Sequence, residues 1–321
     1  MISYIAAFFA AMANAASNVL NRKATREEPV NLQFRLGLIL DLAHRRTWLT
    51  AVAMMVVSFF LSAAALGTGQ IAAVQPIIVL ELPMTLIGSS MILGTRLGLR
   101  EWGAVAAMTL AVIGLIVALD PRPGNPAGVS TALWALGSAA TASAVLALFV
   151  AARCLARRPG RETAEAALLG MASGVAYGLA AAYTKGLTEQ FSAGGIAGVV
   201  TTWQLYAATV TGVGATWLLE NSYHAGRLAA GQPGITLADP IVGMTWGILI
   251  FHERVRGPAY FGVAVVPLLL LATGVFVLSR SPALQDSQGA REGKGGQQAR
   301  VAGQGEPVPG AASRGHKSSG S

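Results

Sequence analysis

The 321-residue chain is poor in charge: only 12% of its residues are Asp, Glu, Lys or Arg, whereas 53% are hydrophobic. Soluble globular proteins carry about 25% charged residues. A charge content half as large, arranged in long uncharged stretches, excludes an ordinary soluble domain. The composition therefore predicts a protein that crosses the membrane several times.

Cysteine and histidine are also scarce. The single Cys154 excludes an intramolecular disulfide framework and a cysteine-based metal cluster, and the four histidines are scattered. The sequence contains no P-loop, GxSxG, HExxH or dinucleotide-binding fingerprint. We therefore expect neither an enzyme nor an ATPase and no cofactor, so that any transport must use the gradient of an ion or a solute.

The formal charge of +8 does not indicate nucleic-acid binding, because the basic residues lie in short loops and in the tail. The stretch 1–21 carries no charged side chain, so it lacks the basic start of a signal peptide, and we expect it to be a retained helix.

Nine apolar segments are each long enough to cross about 30 Å of hydrocarbon, which takes about 20 residues. They are predicted at residues 2–21, 49–68, 70–93, 102–119, 131–152, 163–186, 196–219, 228–251 and 258–279. With the N-terminus outside and the C-terminus in the cytoplasm, thirteen basic residues face the cytoplasm and four face outward: Arg122, Lys185, Arg254 and Arg256. We expect a multi-pass protein of the cell (plasma) membrane in this orientation.

One stretch of thirteen residues occurs twice. Ile71–Pro83 reads IAAVQPIIVLELP and Leu228–Pro240 reads LAAGQPGITLADP, with seven identical positions. Segments 1–4 then correspond to segments 6–9, a shift of five crossings. Because five is an odd number, each helix of the second copy crosses the membrane in the opposite direction to its counterpart. Inverted repeats with interrupted helices at corresponding positions are typical of secondary transporters.

The repeat divides the chain into four parts. Residues 1–122 form the first repeat, with an amphipathic interfacial helix at about 31–46. Residues 123–160 are the connector helix and loop, and residues 161–281 form the second, inverted repeat. Residues 282–321 are rich in Gly, Ser, Gln and charge, which predicts a disordered cytoplasmic tail.

Each copy of the stretch contains two prolines, Pro76 and Pro83 in the first and Pro233 and Pro240 in the second. Proline removes a backbone hydrogen bond from a helix. At bilayer depth such breaks occur where the freed backbone groups face protein or a water-filled cavity. We therefore expect helix breaks at these prolines, close to a binding site.

Two acidic residues lie in these stretches. Glu81 stands near the middle of an apolar segment, where a charge costs at least about 2.5–3.5 kcal/mol. It is either a proton-coupling carboxylate, a cation ligand, or a structural acid hydrogen-bonded to a neighbouring helix. Asp239 directly precedes Pro240 and either caps a half-helix or binds a cation. If the cargo is a cation, these two residues are its expected ligands.

Five uncharged polar residues are further candidates for the path of the solute. Gln75 and Gln232 occupy equivalent positions before prolines, where they either line a path or satisfy freed backbone groups. Asn14 and Asn18 lie one turn apart on segment 1 and either join helices or line the path. Tyr177 on segment 6 is expected to reach the same cavity.

Other residues receive structural predictions. Gly170, Gly174 and Gly178 recur every four residues and predict close helix packing. Lys185 ends segment 6 as Lys23 ends segment 1. The pair His252 and Glu253 is predicted to form an exposed turn.

The ends of both halves resemble the EamA-like halves of the drug/metabolite transporter (DMT) superfamily, in which a Gly-Glu-Arg-Leu-like turn precedes the last helix. Gly94-Thr95-Arg96-Leu97 and His252-Glu253-Arg254-Val255 occupy these places. The plan resembles most the nine-helix, NIPA-type magnesium transporter branch, with its lysine-ended first helix and long amphipathic loop. The resemblance implies an all-α integral membrane protein and brings no catalytic residue.

These observations predict a secondary transporter of a small solute that works by alternating access and has no ATPase of its own. The expected partners are the lipid bilayer and a small-molecule or ion substrate, not nucleic acid, and a homodimer is compatible with this plan. Two alternatives stay open: a transporter of Mg²⁺ or another divalent cation, and a non-transporting membrane scaffold or partner subunit.

Overall fold

The computed structural model describes residues 1–26, 46–94, 97–225 and 228–281, and nearly all of them are helical. The helices, numbered in chain order, are α1 (Ile2–Arg26), α2 (Arg46–Thr68), α3 (Ile71–Ile78), α4 (Glu81–Leu93), α5 (Leu99–Leu119), α6 (Thr131–Ala156), α7 (Glu162–Thr201), α8 (Trp203–Ala225), α9 (Leu228–Leu249) and α10 (Pro258–Ser279). The predicted all-α class is confirmed. The predicted tail at 282–321 lies outside the described residues, as does the predicted interfacial helix at 31–46 except for its last residue.

Among the described residues, seven helical stretches are long and apolar enough to cross a membrane. They are Ile2–Asn21, Arg46–Thr68, Ile71–Ile92, Leu99–Leu119, Thr131–Ala156, Glu162–Thr201 and Gly262–Ser279. They coincide with seven of the nine predicted segments and indicate a multi-pass membrane protein. The other two predicted segments, 196–219 and 228–251, overlap α8 and α9.

The predicted end of the sixth segment, at residue 186, is too early. The helix that was expected to end near residue 186 continues as α7 to Thr201, and α8 begins only at Trp203. A kink at Gly195, where φ is +60°, interrupts α7. Glycine adopts this conformation without the steric cost of a Cβ atom. The kink lies directly before residue 196, where the seventh segment was predicted to begin.

The third predicted segment is broken, but between its two prolines rather than at either of them. Helix α3 ends at Ile78 and α4 begins at Glu81. Because Pro83 has no N–H to donate to the carbonyl of Val79, that carbonyl accepts instead from Leu82 at 3.2 Å. The break places Glu81 in the first turn of α4.

The corresponding break in the second copy is absent, contrary to prediction. Helix α9 runs without interruption from Leu228 to Leu249 and contains both Pro233 and Pro240. Each proline removes one backbone hydrogen bond, which membrane helices tolerate when neighbouring helices pack closely. Asp239 therefore lies inside a helix, and the prediction that it caps a half-helix is wrong.

The glycine face of α7 packs against α9, as predicted. A Cβ atom added to Gly174 would lie 2.6 Å from the backbone oxygen of Ile235 and 2.9 Å from Cβ of Ala238. One added to Gly178 would lie 2.8 Å from the backbone oxygen of Asp239. These contacts leave no room for side chains, so the glycines bring the two helix backbones together.

Replacing Gly174 by Ala is therefore expected to destabilise the protein by about 1–3 kcal/mol, since the backbone of α9 would have to move away. The matched control is Gly212→Ala on α8, where an added Cβ meets nothing within 4 Å. There the change should be neutral or stabilising by up to about 1 kcal/mol, because alanine favours the helix. Thermal unfolding midpoints of the purified variants in detergent compare the two, and equal midpoints would contradict the close packing.

Two helix pairs, α1 with α2 and α7 with α8, are joined in the same way. In each pair, one serine of either helix donates its hydroxyl to a backbone carbonyl of the other helix. The bonds are Ser17 to Ala51, Ser58 to Ala10, Ser173 to Ala215 and Ser222 to Ala166, with donor–acceptor distances of 2.7–2.9 Å. The first two helices of each predicted repeat thus pack with the same bonding pattern.

Candidate functional site

Glu81 is the centre of a half-buried polar group between α1 and α4. The Nδ2 atom of Asn14 lies 2.5 Å from Oε2 of Glu81, and that of Asn18 lies 3.2 Å from Oε1. The two asparagines lie one turn apart on α1, so that each can donate to a different carboxylate oxygen. The two amide groups thus hold the Glu81 carboxyl group in place.

Asp239 lies on α9 and faces a different environment. Its Oδ1 atom is buried and has no hydrogen-bond partner among the described residues. The charge of Glu81 acts on Asp239, and the charges of both acids act on Tyr177 on α7. Gly178 allows α9 to approach α7, since the two helices contact each other backbone to backbone at Asp239. The two acids predicted from the sequence therefore belong to one region of the protein.

Two hydroxyl groups extend this region along α4. Thr85 and Ser89 follow Glu81 at intervals of four residues, which places all three on one side of the helix. Both hydroxyl oxygens are buried without a hydrogen-bond partner in the part of the chain that the structure describes. Buried polar groups are nearly always bonded to protein or water, so unpartnered ones mark positions where water or a solute binds.

Tyr177 is the remaining predicted residue that joins this region. Its hydroxyl lies 2.9 Å from Oγ1 of Thr216 on α8, and the charges of Asp239 and Glu81 act on it. The side chain therefore connects α8 with the surroundings of the two carboxylates.

The two glutamines, in contrast, do not meet. Gln75 is buried, and its Cγ atom lies 2.5 Å from where a Cβ atom on Gly243 would be. Gln232 accepts a hydrogen bond of 3.2 Å from the hydroxyl of Tyr223. Because Gly243 is eleven residues beyond Gln232 on one continuous helix, these positions are about 16 Å apart along α9. The two side chains therefore do not contact each other, and their place on the path of the solute stays a prediction.

A second buried polar group, which sequence reasoning missed, lies where α2 turns into α3. Both carboxylate oxygens of Glu253 accept backbone N–H groups at the start of α3, from Ile71 at 2.8 Å and from Ala72 at 3.0 Å. The Nζ atom of Lys185 donates to the backbone oxygens of Leu66 at 2.8 Å and Gly69 at 2.7 Å. We call these six residues the corner cluster. Lys185 thus satisfies free carbonyls at the end of α2, and Glu253 satisfies free N–H groups at the start of α3.

The corner cluster corrects two predictions. Glu253 is only 4% exposed, so the expected exposed turn is wrong for this residue, although His252 is exposed. Burial raises the pKa of the Glu253 carboxyl, whereas the N–H groups of Ala72 and Ile71 and the charge of Lys185 act in the opposite direction. Lys185 is likewise 4% exposed rather than placed in a loop. A signal for Glu253 was available, because it occupies the acidic position of the Gly-Glu-Arg-Leu-like turn.

We call the surroundings of Glu81 and Asp239, with Thr85, Ser89 and Tyr177, the carboxylate region. Among the described residues, no group of three or more His, Cys, Asp or Glu side chains is arranged to hold a metal ion. Two acids with amide and hydroxyl neighbours suit a proton, a partly hydrated cation or a polar solute.

Comparisons with known proteins give one relative. A protein of Corynebacterium glutamicum, described as uncharacterized, is 26% identical over 282 residues, which cover 88% of this chain and 96% of the relative. No family model matches the chain. No solved structure matches it either.

Proposed function

We propose that the protein is a secondary membrane transporter of a small solute, with the region around Glu81 and Asp239 on the solute's path. The observation that carries this proposal is the set of unpartnered oxygens of Asp239, Thr85 and Ser89 beside the amide-held Glu81. A charged group at bilayer depth is costly and is kept mainly where it serves an ion or substrate pathway.

The arrangement of helices supports alternating access between two inverted repeats. The serine bonds that join α1 to α2 recur between α7 and α8. Helices α5 and α10, which end the two repeats, pack on each other, and a Cβ on Gly114 would meet Pro267 at 3.2 Å. In this proposal nine helices cross the plasma membrane with the N-terminus outside and the C-terminus in the cytoplasm. This plan resembles the nine-helix, NIPA-type branch of the EamA-like drug/metabolite transporter (DMT) superfamily.

The pair of carboxylates favours a second candidate, transport of Mg²⁺ or another divalent cation. Mg²⁺ usually keeps several waters and needs only one or two protein carboxylates, which Glu81 and Asp239 would supply. A scaffold without transport is less well supported, because a protein that binds no solute gains nothing from buried oxygens that lack a partner.

The test is solute flux in liposomes that contain the purified protein. Mg²⁺ is followed with a trapped Mg²⁺-sensitive dye, and a panel of labelled metabolites is followed under an imposed pH gradient. Flux above that of protein-free liposomes, saturating with solute concentration, is the expected result. No flux of any solute in protein shown to be folded and inserted would favour the scaffold.

A further inference from the structure

We infer that the corner cluster is a gate at the outer end of the solute's path and that this structure is the state in which the gate is closed. The inference rests on the proposed function and adds to it the place at which the path closes. In the proposed orientation, the turn from α2 into α3 and the loop between α9 and α10 lie on the outer side of the membrane. We call this end of the helices the outer end. The basis of the inference is that polar contacts between the two predicted repeats are concentrated there.

The corner cluster joins the two predicted repeats directly. Lys185 and Glu253 belong to the second repeat, and their four hydrogen bonds, of 2.7–3.0 Å, all go to backbone groups of the first. Beside them, a Cβ atom on Gly67 of α2 would lie 3.0 Å from Cβ of Thr188 on α7. The end of α2 and the start of α3 are therefore held against α7 and against the loop between α9 and α10.

Backbone hydrogen bonds of the same loop continue this closure. Arg122, which ends the first repeat, donates its N–H to the oxygen of Arg254 at 2.8 Å and accepts from the N–H of Arg254 at 3.2 Å. The N–H of Arg256 donates to the oxygen of Leu119 at 2.9 Å. Because Glu253 directly precedes Arg254, the loop that binds the start of α3 also binds the end of α5. One loop of the second repeat thus closes the outer end against two helices of the first.

At the inner end, where α4 ends and α9 begins, these two helices contact helices of their own repeat. A Cβ atom on Gly88 of α4 would lie 3.2 Å from Cγ2 of Val19 on α1. One on Gly234 of α9 would lie 2.8 Å from the backbone nitrogen of Met171 on α7. Helices α5 and α10 are different, since the start of α5 is hydrogen-bonded to the chain just beyond α10 at this end. The helices that carry Glu81 and Asp239 therefore pack within their own repeats at the inner end.

The carboxylate region lies between the two ends. Glu81 follows Ile71 of the corner cluster by ten residues, and Thr85 and Ser89 continue from it toward the inner end of α4. Both hydroxyl oxygens are buried and unpartnered in the part of the chain that the structure describes, which marks positions where water or a solute binds. In this proposal the path continues from Glu81 along α4 to the inner end, and the corner cluster closes it in the other direction.

The corner cluster is built from hydrogen bonds that water can replace. Lys185 and Glu253 bind free carbonyl and N–H groups at helix ends, and such groups are satisfied equally by side chains or by water. When the two repeats move apart at the outer end, water from outside reaches these groups and takes the place of the side chains. Opening therefore leaves no polar group buried without a partner, which would be costly.

Thiol labelling from outside tests the gate without knowledge of the cargo. After Cys154 is replaced by Ser, a cysteine is placed at position 75, because Gln75 is 3% exposed and lies one turn beyond Ile71 on α3. A membrane-impermeant thiol reagent reaches this position from outside only when the corner cluster is open. Replacing Lys185 by Met removes two hydrogen bonds from the closed state alone, so the labelling rate of Gln75→Cys should rise about tenfold.

Met108→Cys in the same background is the control, because Met108 is fully buried where α5 packs on α10, outside the corner cluster. A rise at Gln75→Cys with no change at Met108→Cys is the expected result, and it does not depend on flux. If Lys185→Met only loosens the fold, both cysteines are labelled faster to the same extent, and the gate is overturned. An unchanged labelling rate at Gln75→Cys would overturn it as well.

A disulfide across the outer end gives a second test if Lys185→Met does not fold. The Cβ distance of 3.0 Å between positions 67 and 188 needs only a small shift to reach the roughly 3.8 Å of a disulfide, so Gly67→Cys and Thr188→Cys should form one on oxidation. We expect oxidation to stop the labelling of Gln75→Cys from outside, with the label located by mass spectrometry, and to stop solute flux. A reductant should restore both. Labelling that continues in the oxidised protein would overturn the gate. Labelling that stops in a protein without flux before oxidation would instead refute the transport function and leave the gate standing.

Discussion

Replacing Glu81 by Gln is expected to reduce solute flux to the level of protein-free liposomes. The substitution keeps the size of the side chain and removes its charge. It also replaces one oxygen that accepts from Asn14 or Asn18 with an NH₂ group, so that two donors face each other. The measurement is the initial rate of flux in liposomes that contain equal amounts of wild type and variant.

Glu162→Gln is the matched control, because Glu162 is an exposed residue in the first turn of α7. It removes the same charge from the same kind of side chain outside the carboxylate region, and its flux should equal that of the wild type. The two variants should elute as the wild type does in size-exclusion chromatography. Wild-type flux in folded Glu81→Gln would remove Glu81 from the path.

Replacing Lys185 by Met is expected to have the largest effect on stability. Methionine retains the length of the side chain but provides no donor, so the buried carbonyls of Leu66 and Gly69 lose their partner and Glu253 loses the nearby positive charge. Removing one member of a buried charged group costs about 3–5 kcal/mol. The thermal unfolding midpoint in detergent should therefore fall clearly below that of the wild type.

Lys23→Met is the control for this experiment, since Lys23 in α1 occupies the place in the predicted first repeat that Lys185 in α7 occupies in the second. Lys23 is exposed, so its loss should change the midpoint little. Equal midpoints for the two methionine variants would show that the corner cluster does not stabilise the fold.

The sequence predicted the carboxylate region in part because buried charge is conspicuous in an apolar segment. Glu81 and Asp239 were identified from their surroundings and from the repeat of the stretch around them. The same reasoning did not predict that amide groups hold Glu81, because its partners Asn14 and Asn18 lie on α1, more than sixty residues earlier in the chain. Hydrogen bonds over such distances depend on helix packing, which periodicity does not specify.

Other errors have local physical causes. Proline was expected to interrupt both copies of the repeated stretch, yet α9 continues through Pro233 and Pro240 while the first copy breaks near Pro83. The effect of a proline depends on whether neighbouring helices compensate for the lost bond, and α7 packs tightly on α9. Glu253 was interpreted as exposed because it lies in a short polar loop, and its burial follows from contacts with α3.

The central claim is that Glu81 lies on a path through the protein by which water and solute enter the membrane region. Labelling of a cysteine at position 85, one turn beyond Glu81 on the same side of α4, tests this without knowledge of the cargo. The exposed Cys154 is first replaced by Ser. A hydrophilic, membrane-impermeant thiol reagent is then applied from each side of the membrane. It reacts with the thiolate, which a cysteine forms where water reaches its side chain and not where lipid surrounds it.

The comparison is with Leu110→Cys, because Leu110 on α5 is 62% exposed on the apolar outer surface of the helices. The account predicts that the thiol of Thr85→Cys reacts, and that Leu110→Cys, facing lipid, does not. If Thr85→Cys is as unreactive as Leu110→Cys from both sides in folded protein, Glu81 does not lie on a solvent-accessible path and the account is contradicted.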